Sequence, residues 1–119
     1  MIDIKEIQLF LEQLGEALEE ELEKFYLENR NVLVRSDYKS KDDHKVKEIV
    51  KRVLENQKKN LKRIFLIKYY LNKGQYGEAI YPLNLLINDF EKKGIEKEKY
   101  LPLKHLEEML RKNFFVHNV

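Results

Sequence analysis

Apolar residues recur along this chain at steps of three and four over stretches far longer than a strand, with only four glycines and two prolines among them. That periodicity commits the backbone to long helices with one apolar stripe each. In the first segment the row is Ile7, Leu11, Leu14, Leu18, Leu22 and Phe25, with Glu19, Glu20, Glu21 and Glu23 on other faces. Asp3 and Glu6 have the spacing of a capping box, so the first helix is predicted to run from there to about Asn29. Its seam is close to a heptad and suits a partner chain as well as the protein's own core.

Residues 30–42 mix polar residues around the short run Val32-Leu33-Val34 and read as a connector. A long second helix is predicted from Ser40 or Asp42 to about Leu71, roughly 45 Å at 1.5 Å per residue, with Val46, Ile49, Val50, Val53, Leu54, Leu61, Ile64, Phe65 and Tyr69 as its apolar face. Its polar face widens over Asn56–Lys59, which predicts a bend or an inter-helix gap there, and Asn72-Lys73-Gly74 stops it. A third helix is expected over Tyr76–Lys92, ended by Gly94, with Pro82 either kinking it or marking its first turn. A fourth begins near Pro102 and carries Leu103, Leu106, Leu110 and Phe114. The expected fold is all-α: a four-helix antiparallel bundle with a long second helix, in one domain spanning 1–119. The segment Gly74-Gln75-Tyr76-Gly77-Glu78-Ala79-Ile80 resembles a tetratricopeptide turn, but it occurs once, so it reads as a tight helix–helix connection rather than a solenoid repeat.

The absence of cysteine excludes disulfides, thiolate metal sites and thiol nucleophiles. No basic leader followed by an apolar run opens the chain, and no stretch of 18 uninterrupted apolar residues occurs, so the expectation is a cytoplasmic protein with no membrane contact. A net charge of +2 conceals a division: residues 1–29 carry nine acids against Lys5 and Lys24. Between Lys39 and Lys73, twelve Lys and Arg face only Asp42, Asp43, Glu48 and Glu55. A basic excess of that size suits a polyanion, and Lys51, Arg52, Lys58, Lys59, Lys62 and Arg63, with Lys112 further on, are the candidate nucleic-acid-binding residues. The alternative is a solvated helix face in a Lys/Glu-rich protein.

Gly-rich phosphate loops, His-Glu-x-x-His and Gly-x-Ser-x-Gly are all missing. Glu16, Glu19, Glu20 and Glu23 lie on adjacent turns, yet no His shares their spacing, so they read as a solvated face rather than a metal site; no cofactor is expected. His44 and His105 read as surface residues. The remaining histidine closes Arg111-Lys112-Asn113-Phe114-Phe115-Val116-His117, where an always-charged guanidinium and an imidazole that titrates near neutrality suit the holding and protonation of a phosphate. On an ideal helix Arg111 and His117 are about 120° apart and converge only across a groove or a dimer seam.

This terminal stretch resembles the Arg…His signature of the HEPN superfamily, small helical bundles that include metal-independent ribonucleases. The resemblance implies RNA as the substrate, a composite site where two copies of the motif meet in a homodimer, and catalytic roles for Arg111 and His117, with Asn113 or Lys112 at the polar position after the Arg. The spacing of Phe25-Tyr26 to Lys62-Arg63-Ile64 resembles the first half of GINS replication subunits, which implies instead a non-enzymatic subunit with a protein partner in a nucleic-acid-processing complex. The two functional expectations are therefore an RNA-binding protein or endoribonuclease, and a helical interaction subunit.

Overall fold

A computed structural model of the chain describes residues 4–34 and 41–117, and the side chains of all of these except Lys41 and residues 113–117. Four helices follow one another: α1 (Ile4–Val34), α2 (Lys41–Asn72), α3 (Tyr76–Lys92) and α4 (Lys97–His117). Each packs antiparallel on the next. Gln8 near the start of α1 bonds Asn72 at the end of α2, Asn56 of α2 meets Asp89 late in α3, and Lys104 early in α4 pairs with Glu91 of α3 at 2.9 Å. The expected antiparallel bundle is the observed fold.

α1 outruns its expected end at Asn29. The Asn29 side-chain amide donates to the Phe25 carbonyl one turn back at 2.9 Å, and half-buried Val32 and Leu33 prolong the apolar seam. The connector is correspondingly shorter than 30–42; residues 35–40 lie outside the described ones. α1 is then about as long as α2, at 31 and 32 residues. Pro82 neither starts nor divides α3, which is a single helix of 17 residues with the proline ring buried inside it. α4 starts before Pro102, at Lys97, but Tyr100 is non-helical (φ −126°, ψ 15°), so its regular part begins about where Pro102 imposed it.

Two glycines close α2 and α3 alike. Gly74 (φ 72°) and Gly94 (φ 71°) adopt the left-handed conformation that costs other residues most. Around them Gln75 N donates to Tyr70 O and Gly74 N to Leu71 O, while Ile95 N donates to Phe90 O and Gly94 N to Glu91 O. Each is a Schellman turn, which satisfies carbonyls the helix end leaves without partners.

The core gathers Ile7 and Leu11 of α1, Ile64, Ile67 and Leu71 of α2, Leu83, Leu86 and Phe90 of α3, and Leu103, Leu106 and Leu110 of α4. All of it lies at one end of the α1–α2 pair. At 1.5 Å per residue α3 spans about 25 Å and α2 about 48 Å, so α3 covers only the C-terminal half of α2. The other halves of α1 and α2 form a two-helix arm held by Val50 and Leu54 and by half-buried Leu22, Phe25 and Leu33. The molecule measures 61 × 26 × 25 Å with a radius of gyration of 17.6 Å, against about 13–14 Å for a compact domain of this length. Val46 and Ile49, expected on the apolar face of α2, are exposed on the arm because no third helix reaches them.

The polar stretch Asn56–Lys59 does not break α2, which runs unbroken from Lys41 to Asn72. It holds α3, beside the expected gap between helices, which Asn56, Gln57 and Asn60 line. Asn60, 1% exposed, donates to Asp89 Oδ2 at 2.7 Å. Asn56 donates to Asp89 Oδ1 at 2.9 Å, and Lys93 pairs with Asp89 at 2.8 Å while donating to Asn56 Oδ1. Partial burial by itself would raise the Asp89 pKa, but hydrogen bonds from Lys93, Asn60 and Asn56 and the Lys93 charge outweigh it and hold the carboxyl below its ordinary 3.8. A depressed carboxyl pKa stabilises the fold above that ordinary value, and the contribution disappears as pH falls through the lowered one. Asp89→Ala strips buried Asn60 of its acceptor and should lower unfolding free energy at pH 7 by about 2 kcal/mol. In urea titrations followed by circular dichroism the gap between variant and wild type should narrow below pH 4; equal stability at pH 7 would show that the cluster does not hold α3.

Candidate functional site

The cations expected to bind nucleic acid do not form one group. Lys51, Arg52, Lys58, Lys59 and Lys62 are exposed on α2, and among the described residues none of the five makes an ion pair. Arg63 is different: it is half-buried and its Nη1 donates to Asn60 Oδ1 at 2.8 Å, which draws it into the cluster that holds α3. Lys112 is exposed on α4.

The terminal motif is only partly placed. Arg111 is exposed and lies 3.7 Å from Glu107, one turn back on α4, and the same Glu107 oxygen accepts from Asn84 of α3 at 3.2 Å. The guanidinium is thus drawn toward α3 by a carboxylate. Asn113 and His117 belong to the last turns of α4, but their side chains lie outside the described residues. His44 and His105 are exposed, and no three His, Asp or Glu side chains converge among the described residues.

A feature that the spacing of single residue types does not announce lies between α1 and α2, on the side away from α3. Phe65 is 66% exposed and Tyr69 is exposed beside it, although both were expected on the buried face of α2. Their rings stack with centroids 6.5 Å apart, and Lys73 Nζ lies 5.8 Å from the Tyr69 ring centre. The physical reason is angular: Phe65 is two residues, or about 200°, around the helix from buried Ile67. Next to this aromatic pair runs a groove in two parts. The first, about 250 Å³, is lined by Glu12, Gly15, Glu16, Leu61, Phe65 and Lys68. The second, about 420 Å³, continues along the arm between Glu19, Glu23, Tyr26, Leu33, Leu54 and Lys58.

The floor of this groove is apolar and its two walls carry opposite charge. Glu12, Glu16, Glu19 and Glu23 form one row on α1 at helical spacing. None of the four makes an ion pair among the described residues. Gly15 does not set how closely the helices approach here, since a Cβ at that position would stand 3.6 Å from Ile64 Cγ2, an ordinary contact. A second cavity, about 420 Å³, lies on the α3 side among Leu18, Arg52, Val53, Phe90 and Ile95, where Gln57 Oε1 is buried with no hydrogen-bond partner among the described residues.

Nothing in the described residues is long and apolar enough to cross a membrane as a helix. Comparison with protein-family models, with curated proteins and with solved structures finds no match.

Because 3.6 Å is ordinary contact, Gly15→Ala should fit against Ile64 and remove the cost of a helix-interior glycine, raising stability by about 0.5–1 kcal/mol. A thermal melt should show a midpoint a few degrees higher. A lower midpoint would mean that α1 and α2 approach more closely at Gly15 than this groove allows.

Proposed function

We propose that this chain is a non-enzymatic helical interaction subunit that docks a protein partner along the α1–α2 groove. One observation carries the reading: an apolar floor edged by exposed Phe65 lies between a row of glutamates and the lysines Lys58 and Lys68, none of which makes an ion pair among the described residues. Exposed Phe65 and Tyr69 are the residue types that anchor protein interfaces, and a rim of both signs sets register and selects partners. A polyanion entering this groove would meet Glu12, Glu16, Glu19 and Glu23, and repulsion from four carboxylates opposes it.

A second reading has its own observation. The unpaired cations also include Arg52 and Lys59, which stand on the α2 edge nearer α3, away from the glutamate row, and there RNA would meet mostly positive charge. Catalysis of the HEPN type would then fall to Arg111 and His117, with Asn113 as the accompanying polar residue.

The readings separate in one pair of measurements. Full-length tagged chain should retain a stoichiometric protein partner that is lost in Phe65→Glu and in the double charge reversal of Lys58 and Lys68. Labelled single-stranded RNA should bind weakly, with little dependence on salt. Tight RNA binding that falls steeply between about 50 and 200 mM salt would overturn the docking reading in favour of the second one. Cleavage of that RNA in EDTA, abolished by His117→Ala, would add the catalytic role.

A further inference from the structure

We infer that the occupant of the α1–α2 groove is a second copy of this chain, with α1 of each copy lying against α2 of the other about a two-fold axis parallel to the helices. The inference rests on the docking reading and names its partner.

Charge is the first argument. Over residues 12–28 of α1 seven glutamates face only Lys24, and over 45–63 of α2 eight lysines and arginines face only Glu48 and Glu55. The two helices carry equal and opposite excesses. Within one chain the groove-facing members stay apart: Glu12, Glu16, Glu19, Glu23, Lys58 and Lys68 make no ion pair among the described residues. A surface that carries the two signs in separate rows is complementary to itself after rotation, which is what a two-fold contact requires.

Geometry then decides which rotation. A two-fold axis perpendicular to the helices and in the plane of contact would set α1 on α1 and α2 on α2, glutamate row against glutamate row. An axis parallel to the helices sets α1 against the partner's α2 and joins opposite charges along the whole groove. The rest of the bundle does not obstruct this approach. Lys58 and Phe65 are each about 200° around α2 from Asn60 and Ile67; Asn60 bonds Asp89 of α3 and Ile67 belongs to the core. α3 and α4 therefore stay on the outside of the pair.

Size is the third argument. From Glu12 to Leu33 the groove runs roughly 32 Å, and two helices side by side are about 20 Å wide, giving on the order of 600 Å² per copy. The sum over both copies reaches the lower edge of the range for specific interfaces. Tyr26, Leu33 and Phe65 would supply its apolar centre, with the lysines and glutamates as a rim. Arg52 and Lys59 remain outside the covered surface.

Sedimentation equilibrium of the full chain tests this without nucleic acid present. Wild type should sediment at twice the 14.5 kDa chain mass at micromolar concentration. Phe65→Glu, an exposed position whose change leaves the core intact, should weaken the dimer by at least ~10-fold, with helicity by circular dichroism unchanged. Glu16→Lys/Glu19→Lys and Lys58→Glu/Lys68→Glu should each be monomeric alone, and an equimolar mixture of the two should form a heterodimer, because each acquires the charge the other has lost. A wild type that stays at 14.5 kDa up to about 200 µM overturns the inference; retention of a different protein by that monomer would leave the docking reading standing. A dimer indifferent to Phe65→Glu, or charge variants that fail to rescue each other, overturns the assigned surface and rotation.

Discussion

The unequal lengths of the helices govern this molecule. α1 and α2 exceed thirty residues each, whereas α3 has 17, so a single core can fill only one end of the long pair. At that end four apolar stripes enclose Leu83, Leu86, Leu103 and Leu106, all fully buried. At the other end the same two helices continue with only each other, and Ile49 is left 59% exposed. In the docking proposal, the cost of leaving such surface in water is what makes the α1–α2 pair an interaction element as well as a scaffold.

Polar chemistry divides along the same line. On the α3 side of α2, Asn56, Asn60 and Arg63 are engaged with one another or with Asp89, whose lowered pKa reflects how completely that carboxylate is satisfied. On the opposite side Glu12, Glu16, Glu19, Glu23, Lys58 and Lys68 make no ion pair among the described residues, and an apolar groove separates the two signs. The first set fixes where α3 sits and leaves little for a ligand. The second is available, and its mixed sign favours protein over polyanion.

Much of the architecture is legible in the amino-acid pattern. The three-four periodicity of Ile7 to Phe25 and of Val50 to Leu71 encodes the long helices, and Gly74 and Gly94 mark the stops of α2 and α3 through a backbone conformation that other residues rarely take. Three features are not legible from local pattern. Val32-Leu33-Val34 looks isolated until α2 is present to pack against it. The polar run at Asn56 is indistinguishable from a bend unless Asp89, some thirty residues on, is known to face it. Phe65 and Tyr69 count as core by hydropathy, and only the placement of α3 shows them to be outside. The same holds for the candidate site. The individual glutamates and lysines are visible in the chain, but the groove between them depends on how α1 and α2 are set against each other. Arg111 carries a recognisable motif, while its approach to Glu107 appears only in three dimensions.

In the proposed dimer the α1–α2 face is covered by its own counterpart, side by side. Small-angle X-ray scattering on the full chain measures this most directly, because particle length and mass report independently. Pairing through the groove doubles the scattering mass while the longest dimension stays near the 61 Å of one chain. A particle about twice that length, or one with the mass and cross-section of a single chain at every concentration, would contradict it.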